Sequence, residues 1–143
     1  VALALGLGAL FDDRRFVLAT PVLISLVLGV TFAASLRGAS FVERFARMHS
    51  GGELSEAEVR HCRQTTWAWV VFFCLNALVA AVLSSTDAWV GAWAMYNGGI
   101  AYALMGMMFV GEYLLRQYRF RKYGGGLHDR LLSRIFPPRE ETP

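Results

Sequence analysis

Cysteine is scarce in this chain, and so is every pattern that usually announces chemistry. Only Cys62 and Cys74 occur among 143 residues, which excludes a disulfide framework, and the two are not expected to pair in a reducing compartment. His49, His61, Cys62 and His128 lack zinc-site spacing, so neither a metal nor another cofactor is expected. There is no Gly-rich phosphate loop, no nucleophile elbow and no pair of carboxylates within an apolar stretch. Basic residues are also nearly missing from one set of connecting segments. The net charge of +3 would otherwise invite nucleic acid as a partner, but the cations are distributed as membrane-orientation signals, and no nucleic acid is expected.

Apolar residues are abundant instead. The hydrophobic share of 55%, with 10 Phe, exceeds what a small soluble domain can usually hide. Three stretches, 16–36, 66–83 and 88–115, have 18 to 28 residues each, against the roughly 20 needed to cross the hydrocarbon as helix. Residues 1–11 are apolar over about half that length and read as the outer end of an earlier helix. The expected fold is therefore all-α: a polytopic transmembrane helical bundle over residues 1–123, with three full spans and a partial N-terminal one, then a tail over 124–143.

Arg14 and Arg15 are the only cations on one side of these spans, whereas five lie in the loop 37–65 and seven follow residue 115. Basic segments stay in the cytoplasm, so the loop and the C-terminus are expected there, in a bacterial inner membrane. Trp67 and Trp69 at the inner end of the second span, with Trp89 and Trp93 at the outer end of the third, fit aromatic belts.

The cytoplasmic segments have local order of their own. Phe41, Phe45 and Met48 recur at i, i+4 and i+7 with Glu43, Arg44 and Arg47 on the other side, which describes a short amphipathic helix ended by Ser50-Gly51-Gly52. Ser55 and Glu58 form a capping box that opens a helix running into the second span. Beyond the third span, Arg116, Arg119, Arg121 and Lys122 form a basic cluster suited to anionic headgroups. After Gly124-Gly125-Gly126, an amphipathic helix carrying Leu131, Ile135 and Phe136 on one face is expected as a membrane-surface anchor, with a partner-docking helix as the alternative.

Polar residues within the spans are costly unless partnered, so they hold whatever chemistry the bilayer contains. Asn76 and Asn97 count to similar depth from the outer hairpin, and an interhelical hydrogen bond between them is expected. The functional alternative is a polar pocket in which Tyr96 and Tyr102 join them to hold a headgroup or substrate. Gly99, Ala103 and Gly106 leave a smooth strip for helix packing. Glu112, the one acid inside a span, lies one turn before Arg116, so an i, i+4 pair competes with a role as proton acceptor. Ser25, Thr31 and Ser35 can bond back to their own helix.

Certain runs carry a resemblance: Pro21-Val22-Leu23; Ser40-Phe41-Val42-Glu43-Arg44-Phe45-Ala46-Arg47; residues 67–76; Ala92-Trp93-Ala94-Met95-Tyr96-Asn97-Gly98-Gly99-Ile100-Ala101-Tyr102; and Gly111-Glu112-Tyr113. Together they resemble an uncharacterised family of small bacterial inner-membrane proteins encoded beside genes for aryl polyene, xanthomonadin-like lipid pigments. The resemblance implies a setting of acyl carrier proteins, ketosynthases, dehydratases, acyltransferases and an exporter, and implies no catalytic residue. The expectation that follows is a non-catalytic membrane component, part of a hetero-oligomer, that brings acyl-carrier-dependent polyene or fatty-acyl biosynthetic partners to the inner leaflet among membrane lipids. Arg44, Arg47, Arg60 and Arg63 would offer acidic carrier proteins a basic surface, unless they pair with neighbouring glutamates or touch phospholipid. The alternatives are a lipid-handling or acyl-transfer enzyme subunit using Glu112, Asn97 or His61, and a small permease or exporter subunit.

Overall fold

The computed structural model describes residues 14–49 and 53–120. The partial span at 1–11, the basic pair Arg121 and Lys122, and the tail with Leu131, Ile135 and Phe136 lie outside the described residues. Within them every regular element is helical: α1 (Arg14–Ser35), α2 (Phe41–His49), α3 (Glu56–Leu83), a 3₁₀ turn (Asp87–Trp89), α4 (Val90–Met95), a π turn (Tyr96–Ile100) and α5 (Ala101–Phe120). Three segments are long and apolar enough to cross a membrane: Arg15–Ser35, Glu56–Leu83 and Asp87–Phe120. Among the described residues, those up to Tyr102 belong to one compact unit and those from Ala103 to a second.

α1 runs unbroken through Pro21. As expected, Thr31 Oγ1 donates back to the Val27 carbonyl and Ser35 Oγ to that of Phe32; Thr20 Oγ1 does the same to Phe16, whereas Ser25 is engaged by Asn76 of α3. α3 opens where the sequence places it. Ser55 Oγ accepts from the Glu58 amide while Glu58 Oε2 accepts from the Ser55 amide at 2.9 Å, a complete capping box.

The buried residues of α3 are Glu58, His61, Cys62, Thr65, Thr66, Trp69, Val70, Phe73, Asn76, Ala77 and Ala80. Their steps of three and four keep one stripe on one side of the helix for its whole length. The pairs along that stripe run in opposite directions on α1 and α3. Arg63 reaches Leu36 and Gly38, Phe32 packs on Trp69, Gly29 on Phe73 and Asn76 on Ser25. The two spans are therefore antiparallel. Phe32, Trp69 and Phe73 form an aromatic core with ring centroids 5.5 to 6.1 Å apart.

Trp69 thus belongs to the core, at 5% exposure, and not to an aromatic belt. Trp67 and Trp89 are the exposed indoles. The third span differs from the single continuous helix expected, being interrupted by a π turn. The Ala101 amide reaches back five residues to the Tyr96 carbonyl, which admits one more residue than an α turn. Within the first unit, a methyl group added at Gly99 would meet open space among the described residues.

Candidate functional site

Two polar constellations are built into the first unit, one inside the paired spans and one at the end that carries the loop. The first centres on Asn76. Its Nδ2 donates to Ser25 Oγ at 2.8 Å, and its Oδ1 accepts from the Tyr96 hydroxyl at 2.9 Å. Ser25 is 3% exposed and Asn76 9%. One carboxamide therefore joins α1, α3 and the π turn, with both of its ends used.

Asn97 is not its partner, contrary to expectation. Asn97 Nδ2 donates to the carbonyl of Trp93, one turn back on its own segment, at 3.0 Å. Tyr96, the first residue of the π turn, takes the place expected of Asn97. Tyr102 stands 68% exposed and outside the cluster. Of the four residues expected to form one pocket, Asn76 and Tyr96 meet, while Asn97 and Tyr102 do not join them. Ser25 completes the group. Depth would have pointed to it, since Ser25 lies ten residues beyond Arg15 and Asn76 eight before Ser84.

The chemistry of this cluster is cohesive. A serine becomes a nucleophile when a base accepts its proton, whereas Asn76 presents an N–H to Ser25. Carboxamide, hydroxyl and phenol satisfy one another, as buried polar groups in hydrocarbon must.

The second constellation is the loop-end cap. Ser40 Oγ accepts from the Glu43 amide and Glu43 Oε2 from the Ser40 amide, so α2 also begins with a capping box, one readable in the Ser40-Phe41-Val42-Glu43 spacing. Glu43 Oε1 then receives Arg47 at 2.9 Å. Ser35 Oγ accepts from the Phe41 amide at 3.0 Å, tying the end of α1 to the start of α2. Arg63 donates to the Leu36 carbonyl at 2.8 Å and the Gly38 carbonyl at 3.0 Å, satisfying acceptors that the end of α1 leaves open.

This cap sorts the four arginines expected to offer a docking surface. Arg63 is spent on the α1 terminus and Arg47 on Glu43. Arg44 Nε donates to the Ala39 carbonyl at 3.0 Å while its terminal nitrogens bond to nothing among the described residues. Arg60 is exposed and makes no hydrogen bond or ion pair among them. His61 and Cys62 are buried at 2% and 0% exposure, out of reach of an aqueous substrate. Glu112 is half-buried on α5, within electrostatic reach of Arg116. No group of three or more metal-ligating side chains occurs among the described residues.

A groove of about 330 Å³ opens between the ends of α1 and α3 remote from the loop, lined by Leu18, Val22, Leu23 and Ala81 with Arg15 and Ser84 also contributing. No family model, curated protein or solved structure matches the chain.

Proposed function

We propose that this chain is a non-catalytic multi-pass component of the bacterial inner membrane, with its loop and C-terminus in the cytoplasm, that recruits acyl-carrier-dependent polyene or fatty-acyl biosynthetic partners to the bilayer. The observation that carries the non-catalytic reading is the use of both ends of the Asn76 carboxamide on Ser25 and Tyr96. The polar groups at that depth hold helices together, and the hydrogen bond to the Ser25 hydroxyl among the described residues comes from an amide, not a base. Recruitment draws support from the loop end, where two capping boxes and the Arg63 clamp make a preorganised platform. Preorganisation lowers the ordering cost of docking.

The basic surface for an acidic partner narrows to Arg60 and the terminal nitrogens of Arg44. Native-membrane isolation with quantitative mass spectrometry of co-purifying proteins and lipids tests the reading. Stoichiometric carrier proteins or synthases, lost on Arg60→Glu with insertion intact, are the expected result. A chain isolated without protein partners and holding one defined acyl lipid would replace it with lipid handling, the reading that the groove beside Arg15 favours.

A further inference from the structure

The short helix α2 packs with the wrong side inward for an ordinary amphipathic helix. At about 100° per residue, Phe41, Phe45 and Met48 fall on one narrow face. Glu43 and Ala46 fall nearly opposite, and these are the buried pair, at 6% and 3% exposure. The apolar trio stands 44%, 59% and 75% exposed. The inward side carries its own compensation, since the Glu43 carboxylate is consumed by the Ser40 amide and by Arg47.

We infer that α2 is an interfacial helix, whose Phe41, Phe45 and Met48 face is seated in the headgroup–acyl boundary of the leaflet at the loop end. Three observations favour lipid as the occupant. The Phe41 ring stacks on Phe32 of α1 at a centroid distance of 4.5 Å, so the apolar face adjoins a membrane-spanning helix. α2 starts six residues after α1 ends, with the Phe41 amide bonded to Ser35, which holds it at the depth where the span leaves the hydrocarbon. Arg44 is exposed on the flank of the trio, placed to reach phosphate oxygens while its neighbours stay in the acyl region. Trp67, exposed on α3 two residues from the Trp69 that packs on Phe32, marks the same level. The inference competes with partner docking for Arg44 alone and leaves Arg60 to it.

Site-directed spin labelling tests it. Single labels are placed at Phe45→Cys and, separately, at Met48→Cys, in a Cys74→Ala background that leaves the buried Cys62 in place. The protein is reconstituted in vesicles of phosphatidylethanolamine and phosphatidylglycerol. Accessibility to oxygen, which partitions into lipid, should exceed accessibility to a water-soluble nickel relaxant severalfold at both sites. An Arg60→Cys label should give the opposite order. Met48→Cys keeps both phenylalanine rings, so its result stands even where Phe45→Cys weakens insertion. Preferential nickel access at position 48 would overturn the inference. Exclusion of both relaxants would overturn it equally, by showing that protein covers the face.

Discussion

Asn76 donates a hydrogen bond of 2.8 Å to Ser25, 51 positions earlier in the chain, and so locks the register of two antiparallel spans. The same carboxamide accepts from Tyr96 and draws in the π turn of the third. Hydrocarbon offers no competing water, yet such bonds contribute only about 0.6 kcal/mol on average, and up to about 1.7, because unfolded helices in lipid also find partners. The clasp is thus a device for register as much as for stability. Around it, packing between α1 and α3 supplies the remainder.

Gly29 tests that packing. A methyl group there would lie 3.4 Å from Phe73 Cβ, a tight but ordinary contact, whereas a longer side chain would enter the Phe32–Trp69–Phe73 cluster. Gly29→Ala is expected to be nearly neutral, and Gly29→Leu to destabilise by about 1–3 kcal/mol through overpacking. Unfolding of the two variants in mixed micelles gives the comparison, and equal stabilities would contradict the close approach.

Arg63 bridges two carbonyls with one guanidinium. Arg63→Ala should cost about 1 kcal/mol, discounted for solvent exposure, and should speed proteolysis of the 37–40 turn. Lysine offers one ammonium where arginine offers a planar fork, so Arg63→Lys should recover less than half of the protection. Limited proteolysis in reconstituted vesicles measures both, and full rescue by lysine would show that charge alone suffices.

The two capping boxes predict matched losses. Ser55→Ala and Ser40→Ala should each cost about 1 kcal/mol. Ser55→Ala frays the start of α3, whereas Ser40→Ala loosens the seat of α2. Amide hydrogen exchange separates these effects, with faster exchange at residues 56–58 in the first variant and 41–43 in the second.

Much of this was legible in the sequence. Apolar run lengths give the spans, and Ser55 with Glu58 marks the start of α3 because a cap is a local event. Distant events were harder to read. Ser25 looks like any intrahelical serine until α3 is placed beside it, and the choice of Tyr96 over its neighbour Asn97 is one of helix rotation, which counting residues for depth does not give. Trp69 has the composition of a belt residue, and only its place on the stripe of three and four steps takes it into the core. Arg63 looks free because its acceptors are backbone carbonyls, which every sequence contains.

Orientation has its own test. Ser85→Cys, placed in the hairpin after α3, should react with a membrane-impermeant maleimide in intact cells, in a Cys74→Ala background. Arg60→Cys should react only after the inner membrane is permeabilised. The reverse labelling would invert the proposed topology and remove the cytoplasmic platform with it.

The clasp itself is tested most directly by a double-mutant cycle between Asn76→Leu and Tyr96→Phe, read from reversible unfolding in mixed micelles. Leucine keeps most of the Asn76 volume, and phenylalanine removes the hydroxyl alone. A coupling energy on the order of 1 kcal/mol is predicted, with none between Asn76→Leu and Tyr102→Phe. Strict additivity of Asn76→Leu and Tyr96→Phe would contradict the three-helix clasp, and with it the argument that these polar groups are committed to structure.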